Sequence, residues 1–239
     1  MTISRERTTY AQFALRDGQQ ADDCPQLLSA EIAGLAAADP RDQLHIICEP
    51  VEPIPRAAHI VVAMMAAIRD AYAESDRSDP IAAIAAAVEA ANDVLYTKNR
   101  AGAPNLRVFL GVTCLVIRDR DLAICQVPPT QAIVAQNGTP IALPELASWR
   151  GDYQPRAGDP YLGHEGPHGL GMHAEALPLL FRASLEPGDL ITLCSSNLAA
   201  LLADEELAPL VGDDPTAARD ALVALARRHR LDQAYAAVI

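Results

Sequence analysis

The fold class predicted from the sequence is α+β: a sandwich in which helices cover two packed antiparallel sheets. Three observations predict it. Short apolar runs rich in β-branched residues recur along the chain. A pair of long, Ala-rich segments with apolar residues three and four apart follows the first of those runs, and a second helical pair lies near the end.

Taken in order, "TTYAQFAL" (8–15) and "QLHIICE" (43–49) read as strands, with a polar, Pro-containing connection "RDGQQADDCPQ" after the first. "RAAHIVVAMMAAIRDAYAES" (56–75) and "DPIAAIAAAVEAANDVLYTKNR" (79–100) read as an antiparallel helix pair, and Asp79-Pro80 supplies an N-cap and a first-turn proline. The runs 105–119, 122–127, 131–136 and 139–144 are strands joined by very short turns and are expected to form a meander. Asn137-Gly138 is the strongest turn signal among them, because a type I′ hairpin needs positive φ at both central positions. Residues 145–176, rich in Gly, Pro and His, read as a long surface loop. "LPLLFRAS" and "DLITLCS" are strands around a Glu186-Pro187-Gly188 turn. Helices over 198–210 and 215–230 follow, then a last strand "AYAAVI". With no repeat and no linker in sight, one domain over 1–239 suffices.

Half of the 239 residues are hydrophobic but only 4% are aromatic, so the core must be built from Ala, Leu, Val and Ile. The formal net charge of −12 repels nucleic acid and anionic membrane, so neither is expected as a partner. Five cysteines without CxxC spacing, most of them inside apolar runs, read as small buried hydrophobes in a reducing compartment. The N-terminus lacks an apolar signal region and no window reaches the length of a membrane span, which points to the cytoplasm.

Two stretches carry a specific likeness. "GVTCLVIRDRDLAICQVPPTQAIVAQNGTP" (111–140) and "LEPGDLITLCSSNLAALLADEELAPLV" (185–211), with the closing "LDQAYAAVI", resemble segments of the metal-dependent protein phosphatase (PPM) family over nearly the whole chain. The resemblance implies a four-layer α-β-β-α sandwich of two antiparallel sheets flanked by helix pairs. It also implies two Mn²⁺ or Mg²⁺ ions that activate a water against phosphoserine or phosphothreonine.

Hard cations of that kind require several carboxylate oxygens. At the position of the family's Asp-Gly this chain has Glu49-Pro50. The aspartate of its Ser-Asp-Gly corresponds to Ser196, with Asn197 at the glycine. Its Gly-Asp-Ser-Arg turn corresponds to Pro128-Pro129-Thr130-Gln131, and its closing Asp-Asn to Asp232-Gln233. The early Asn-Glu-Asp falls on Ala21-Asp22-Asp23, and Arg16 is the nearest candidate for the phosphate-binding arginine. The surviving acids, Asp22, Asp23, Glu49 and Asp232, lack the central aspartate that would join them into a dinuclear cage.

Two functional readings follow. One is an inactive phosphatase-fold protein, expected to need no cofactor, that binds a protein partner or a phosphorylated segment. The other is an active Mn²⁺- or Mg²⁺-dependent serine/threonine phosphatase with a rearranged site built on Glu49, Asp232 and Asp22 or Asp23. Among rival signals, His164, His168 and His173 in "GHEGPHGLGMH" offer imidazoles to Zn²⁺ or Ni²⁺, yet match no helical zinc signature. Ser195 and Ser196 lack the glycines of a nucleophile elbow, and a helix N-cap at Ser196 or Asn197 accounts better for that corner. Asp204-Glu205-Glu206 reads as dipole compensation at a helix start, and His59 as a core or boundary histidine.

Overall fold

The computed structural model describes residues 9–34, 41–52, 54, 57–143, 169–204, 210, 212 and 214–239. Among them, eleven strands form two antiparallel sheets. One sheet has the order β2-β1-β11-β10-β7-β8, from Gln19–Ala21, Ala11–Arg16, Gln233–Val238, Leu190–Cys194, Gln131–Gln136 and Thr139–Leu143. The other has the order β3-β4-β5-β6-β9, from Leu27–Ile32, Asp42–Pro50, Leu110–Arg118, Asp121–Val127 and Leu179–Ser184. The helices are α1 (Ala57–Glu74), α2 (Pro80–Ala101), α3 (Ser196–Asp204) and α4 (Pro215–Arg228).

The period of two along each strand sorts its side chains into layers. On β5, Val112, Cys114 and Val116 join Ile60, Met65 and Ile68 of α1 and Ile84, Val88 and Leu95 of α2 in one core. The alternate residues Leu115 and Ile117 face the other sheet, where they meet Ile191, Leu193, Tyr235 and Ala237. On the far side of that sheet, Phe13, Leu15, Ile133 and Ala236 pack under Leu198 and Leu202 of α3 and Leu222 and Ala226 of α4. Three cores between four layers give the α-β-β-α order that the sequence predicts. Strands that are buried on both faces explain why β4, β5 and β10 read as nearly unbroken apolar runs.

Local chemistry sets the helix ends. Asp79 accepts from the Ile81 amide at 3.3 Å and Asp214 from the Thr216 amide at 2.8 Å, and each precedes a proline at the first helical position. At the opposite end of the sandwich from the site described below, Asp42 is fully buried. It accepts from Arg118 Nε and Nη2 at 2.6 and 2.9 Å, from Tyr72 Oη at 2.8 Å and from Arg77 Nη1 at 3.3 Å. This network ties β4 and β5 to the end of α1.

Several boundaries differ from the sequence reading. The connection at 16–26 contains β2, and β3 follows it; Asp17 and Gly18, with φ of 53° and 70°, make a tight hairpin between β1 and β2. The strand predicted over 105–119 begins only at Leu110, after a 3-10 turn at Pro104–Leu106. The expected meander is two hairpins in different sheets. β5 pairs with β6 and β7 with β8, and Pro128-Pro129-Thr130 carries the chain from one sheet to the other. The Asn137-Gly138 turn is present, with φ of 49° and 75°. His59 is exposed on α1 rather than at its core side, one residue before the buried Ile60. Of the 145–176 loop, 145–168 lies outside the described residues, as do Glu205 and Glu206.

Candidate active site

The corner at Ser195-Ser196-Asn197 is where the two sheets and α3 converge. β10 ends at Cys194, and α3 starts at Ser196, so the residue at the N-cap is Ser195, one position earlier than expected. Its carbonyl takes the first helical bond, from the Ala199 amide at 2.9 Å. The Ser195 hydroxyl is fully buried, donates to Asn197 Oδ1 at 2.7 Å and accepts from the Tyr235 amide at 3.3 Å. Asn197 donates in turn to the carbonyl of Gln233. Every polar group of this serine is engaged by neighbours, which suits a structural cap and not an activated nucleophile.

Glu49 reaches the same corner from the other sheet. It stands near the end of β4 on the inter-sheet face, 5% exposed. Its Oε1 accepts from the Ser196 amide at 2.9 Å, and its Oε2 accepts from Tyr235 Oη at 2.8 Å. One carboxylate therefore holds the first amide of α3 and the phenol of β11, and straps the two sheets together. Burial pushes the Glu49 carboxyl above its ordinary range, while the bonds from Tyr235 and Ser196 oppose that shift. Tyr235 in turn is pushed well up by burial and by the neighbouring carboxylate, so its proton stays in place as a donor. Sequence reasoning missed Tyr235. The signal available was a lone phenol among the small and aliphatic residues that follow Gln233 in β11.

The other matched positions do not gather around Glu49. Asp232 and Gln233 are exposed, and Asp232 uses its carbonyl to close the β1–β2 hairpin onto the Gly18 amide at 3.0 Å. Asp22 and Asp23 are exposed in the turn after β2, where Asp23 lies 3.6 Å from Arg16. Pro50 ends β4. Pro129 packs against Gly111, where any Cβ would come within 2.4 Å of the proline ring. Beyond it, Thr130 and Thr113 share a hydrogen bond of 2.7 Å, and Gln126 donates to the Thr130 carbonyl and to Gln131 Oε1. His173 is exposed, and its carbonyl accepts from Asn92 at 3.1 Å; His164 and His168 lie outside the described residues.

A dinuclear cluster of divalent cations requires free carboxylate oxygens that converge. Here both oxygens of the buried Glu49 carboxylate are taken by hydrogen-bond donors, and those donors, the Ser196 amide and the Tyr235 phenol, are neutral. Among the described residues no group of three or more His, Cys, Asp or Glu side chains is placed to hold a metal ion. Among the described residues, the donor set does not fit a two-metal site. The four cysteines Cys48, Cys114, Cys125 and Cys194 are buried and free, and burial pushes their thiols up, which makes them inert packing groups.

No protein-family model matches the chain, and no curated protein matches it in sequence. Solved structures match it in shape. A serine/threonine phosphatase from Staphylococcus aureus is 14% identical over 97% of this chain and 94% of its own, with a TM-score of 0.67. The serine/threonine phosphatase of S. agalactiae is 16% identical over 96% and 99%, with a TM-score of 0.62. The catalytic domain of the phosphatase PstP, solved with two manganese ions, is 16% identical over 95% and 98%, with a TM-score of 0.54. Sheet order, helix layers and these likenesses agree: the chain has the fold of the PPM-type serine/threonine phosphatases.

Proposed function

We propose that this protein is a phosphatase-fold binding module, a single cytoplasmic domain that engages a protein partner or a phosphorylated segment without hydrolysing it. One observation carries the reading: the Glu49 carboxylate is consumed as an inter-sheet strap by Ser196 and Tyr235, while Asp22, Asp23 and Asp232 are exposed and form no metal-holding group with it among the described residues. Hydrolysis of a phosphate monoester by this fold rests on cations that neutralise the developing charge. A strapped, nearly dry carboxylate does not provide their seat.

The test is turnover. Purified protein with excess Mn²⁺ or Mg²⁺ is expected to leave para-nitrophenyl phosphate and a phosphothreonine peptide intact. Metal-dependent turnover that disappears in both Glu49→Gln and Asp232→Ala would establish the rival reading, an active phosphatase with a rearranged site.

A further inference from the structure

We infer that the outer edge of β9 (Leu179–Ser184) is a self-association surface, on which a second copy of this chain lays its own β9 antiparallel about a twofold axis at Phe181. The inference goes beyond the binding reading above and does not depend on it. A strand at a sheet edge presents unpaired N–H and C=O groups, and folds usually blunt such edges. Three of the four sheet edges among the described residues are blunted. β2 has three residues, β8 contains Pro140, and β3 carries Glu31 in an ion pair with Arg41 at 3.3 Å. β9 instead carries the exposed Leu180, with the exposed Leu177 just ahead of it.

The ladder between β6 and β9 fixes which groups are open. The Leu185 amide donates to the Arg120 carbonyl at 2.7 Å, in line with the register that sets Leu122 against Ala183 and Ile124 against Phe181. Hydrogen-bonded pairs alternate along antiparallel strands, so Leu179, Phe181 and Ala183 turn their amides and carbonyls to β6, while Leu180, Arg182 and Ser184 turn theirs outward. Pro178 has no N–H to offer at one end of this edge, and at the other the Ser184 carbonyl accepts from Gln136 at 2.8 Å. Leu180 and Arg182 remain between them, each with one outward donor and one outward acceptor. A second β9 centred on Phe181 sets Leu180 against Arg182 and Arg182 against Leu180, which pairs both residues completely. Moving the axis by one residue sets one of them against Pro178 or against the occupied Ser184.

Charge favours the same occupant. The chain holds 31 Asp and Glu, yet none lies between Ala176 and Leu185, and the one cation there, Arg182, is held by both oxygens of its own Asp79 at 2.8 Å. Two copies that each carry a net charge of −12 therefore meet along a strip whose charges are already paired. Phe181, partly buried at the rim of the inter-sheet core, meets its twin across the axis as an aromatic cross-strand pair. The strip is about 20 Å long and offers about 400 Å² per partner, half of a standard interface. Association is accordingly weak, with a dissociation constant on the order of 100 µM.

Sedimentation equilibrium of the full chain from about 5 to 500 µM is expected to show monomer and dimer in exchange. Leu180→Pro removes an outward N–H that the ladder to β6 does not use, and Leu180→Lys adds a charge to the edge. Each should raise the dissociation constant about tenfold or more while the Tm of the dilute monomer holds. Cysteine trapping reads the register. Phe181 and its twin form a non-hydrogen-bonded pair with Cα atoms about 4.5 Å apart, within reach of a disulfide. Phe181→Cys at about 200 µM should therefore cross-link under diamide, which takes up the two electrons and two protons. Arg182→Cys should not, nor should the wild type, whose cysteines are buried except for the partly buried Cys24. A monomer at every concentration, a dimer that both Leu180 variants leave unchanged, or equal cross-linking of Arg182→Cys and Phe181→Cys would overturn the inference.

Discussion

Replacing Tyr235 by Phe tests the strap directly. The phenol ring lies in the inter-sheet core and only its hydroxyl is removed, so no cavity forms. What disappears is the 2.8 Å bond to Glu49 Oε2, and that oxygen is left buried without its donor. A hydrogen bond to a charged acceptor is worth about 1.5–3 kcal/mol, so a loss of about 2 kcal/mol is expected. For a chain of this size that lowers Tm by about 4–8 °C. Urea unfolding followed by far-ultraviolet circular dichroism at neutral pH measures it. Repeating the substitution in a Glu49→Gln background should cost about 1 kcal/mol less, because the ionised acceptor is gone. An equal cost in both backgrounds, or a loss below about 0.5 kcal/mol, would refute the reasoning. So would an Mn²⁺-dependent rise in Tm that requires Glu49, since it would show the carboxylate open to a cation.

Two further perturbations probe the scaffold. Asp42→Ala strands the buried Arg77 and the partly buried Arg118 without their counter-charge, and should destabilise by about 3–5 kcal/mol in the same unfolding assay. His45 is buried with Nε2 unpartnered and Nδ1 on Ser29 at 2.8 Å, and burial lowers its pKa from 6.5 to about 4. Between those values the unfolded chain binds more protons than the fold, so stability is complete above pH 6.5 and falls toward pH 4, by about 3 kcal/mol in all. His45→Gln should flatten that slope, and an unchanged slope would show that other groups set it.

The layers were legible in the sequence because their causes are local. Asn137-Gly138 forces a tight hairpin whatever surrounds it, and the apolar runs of β5 and β10 announce strands buried on both faces. Asp17-Gly18 obeys the same turn rule, yet β2 is only three residues long and β3 alternates weakly at a sheet edge, so neither stood out. The crossover at Pro128-Pro129-Thr130 was hidden for another reason: a short connection does not reveal whether the next strand pairs with the last or passes to the opposite sheet. At the site, the neutral residues Pro129 and Ser196 were visible as residue types. The fate of Glu49 was not, because its partners Ser196 and Tyr235 are 147 and 186 positions away and are brought to it only by the stacking of the sheets.

The strap also acts as a ratchet on the protein's possible futures. A single change of Ser196 to Asp, the most direct step toward a metal corner, would set a second anion beside Glu49 at the start of α3 with no cation yet present to reconcile them. The intermediate is penalised before any ion can reward it, so a metal corner at this position would have to arise by concerted changes, with Tyr235 releasing its hold in the same stroke.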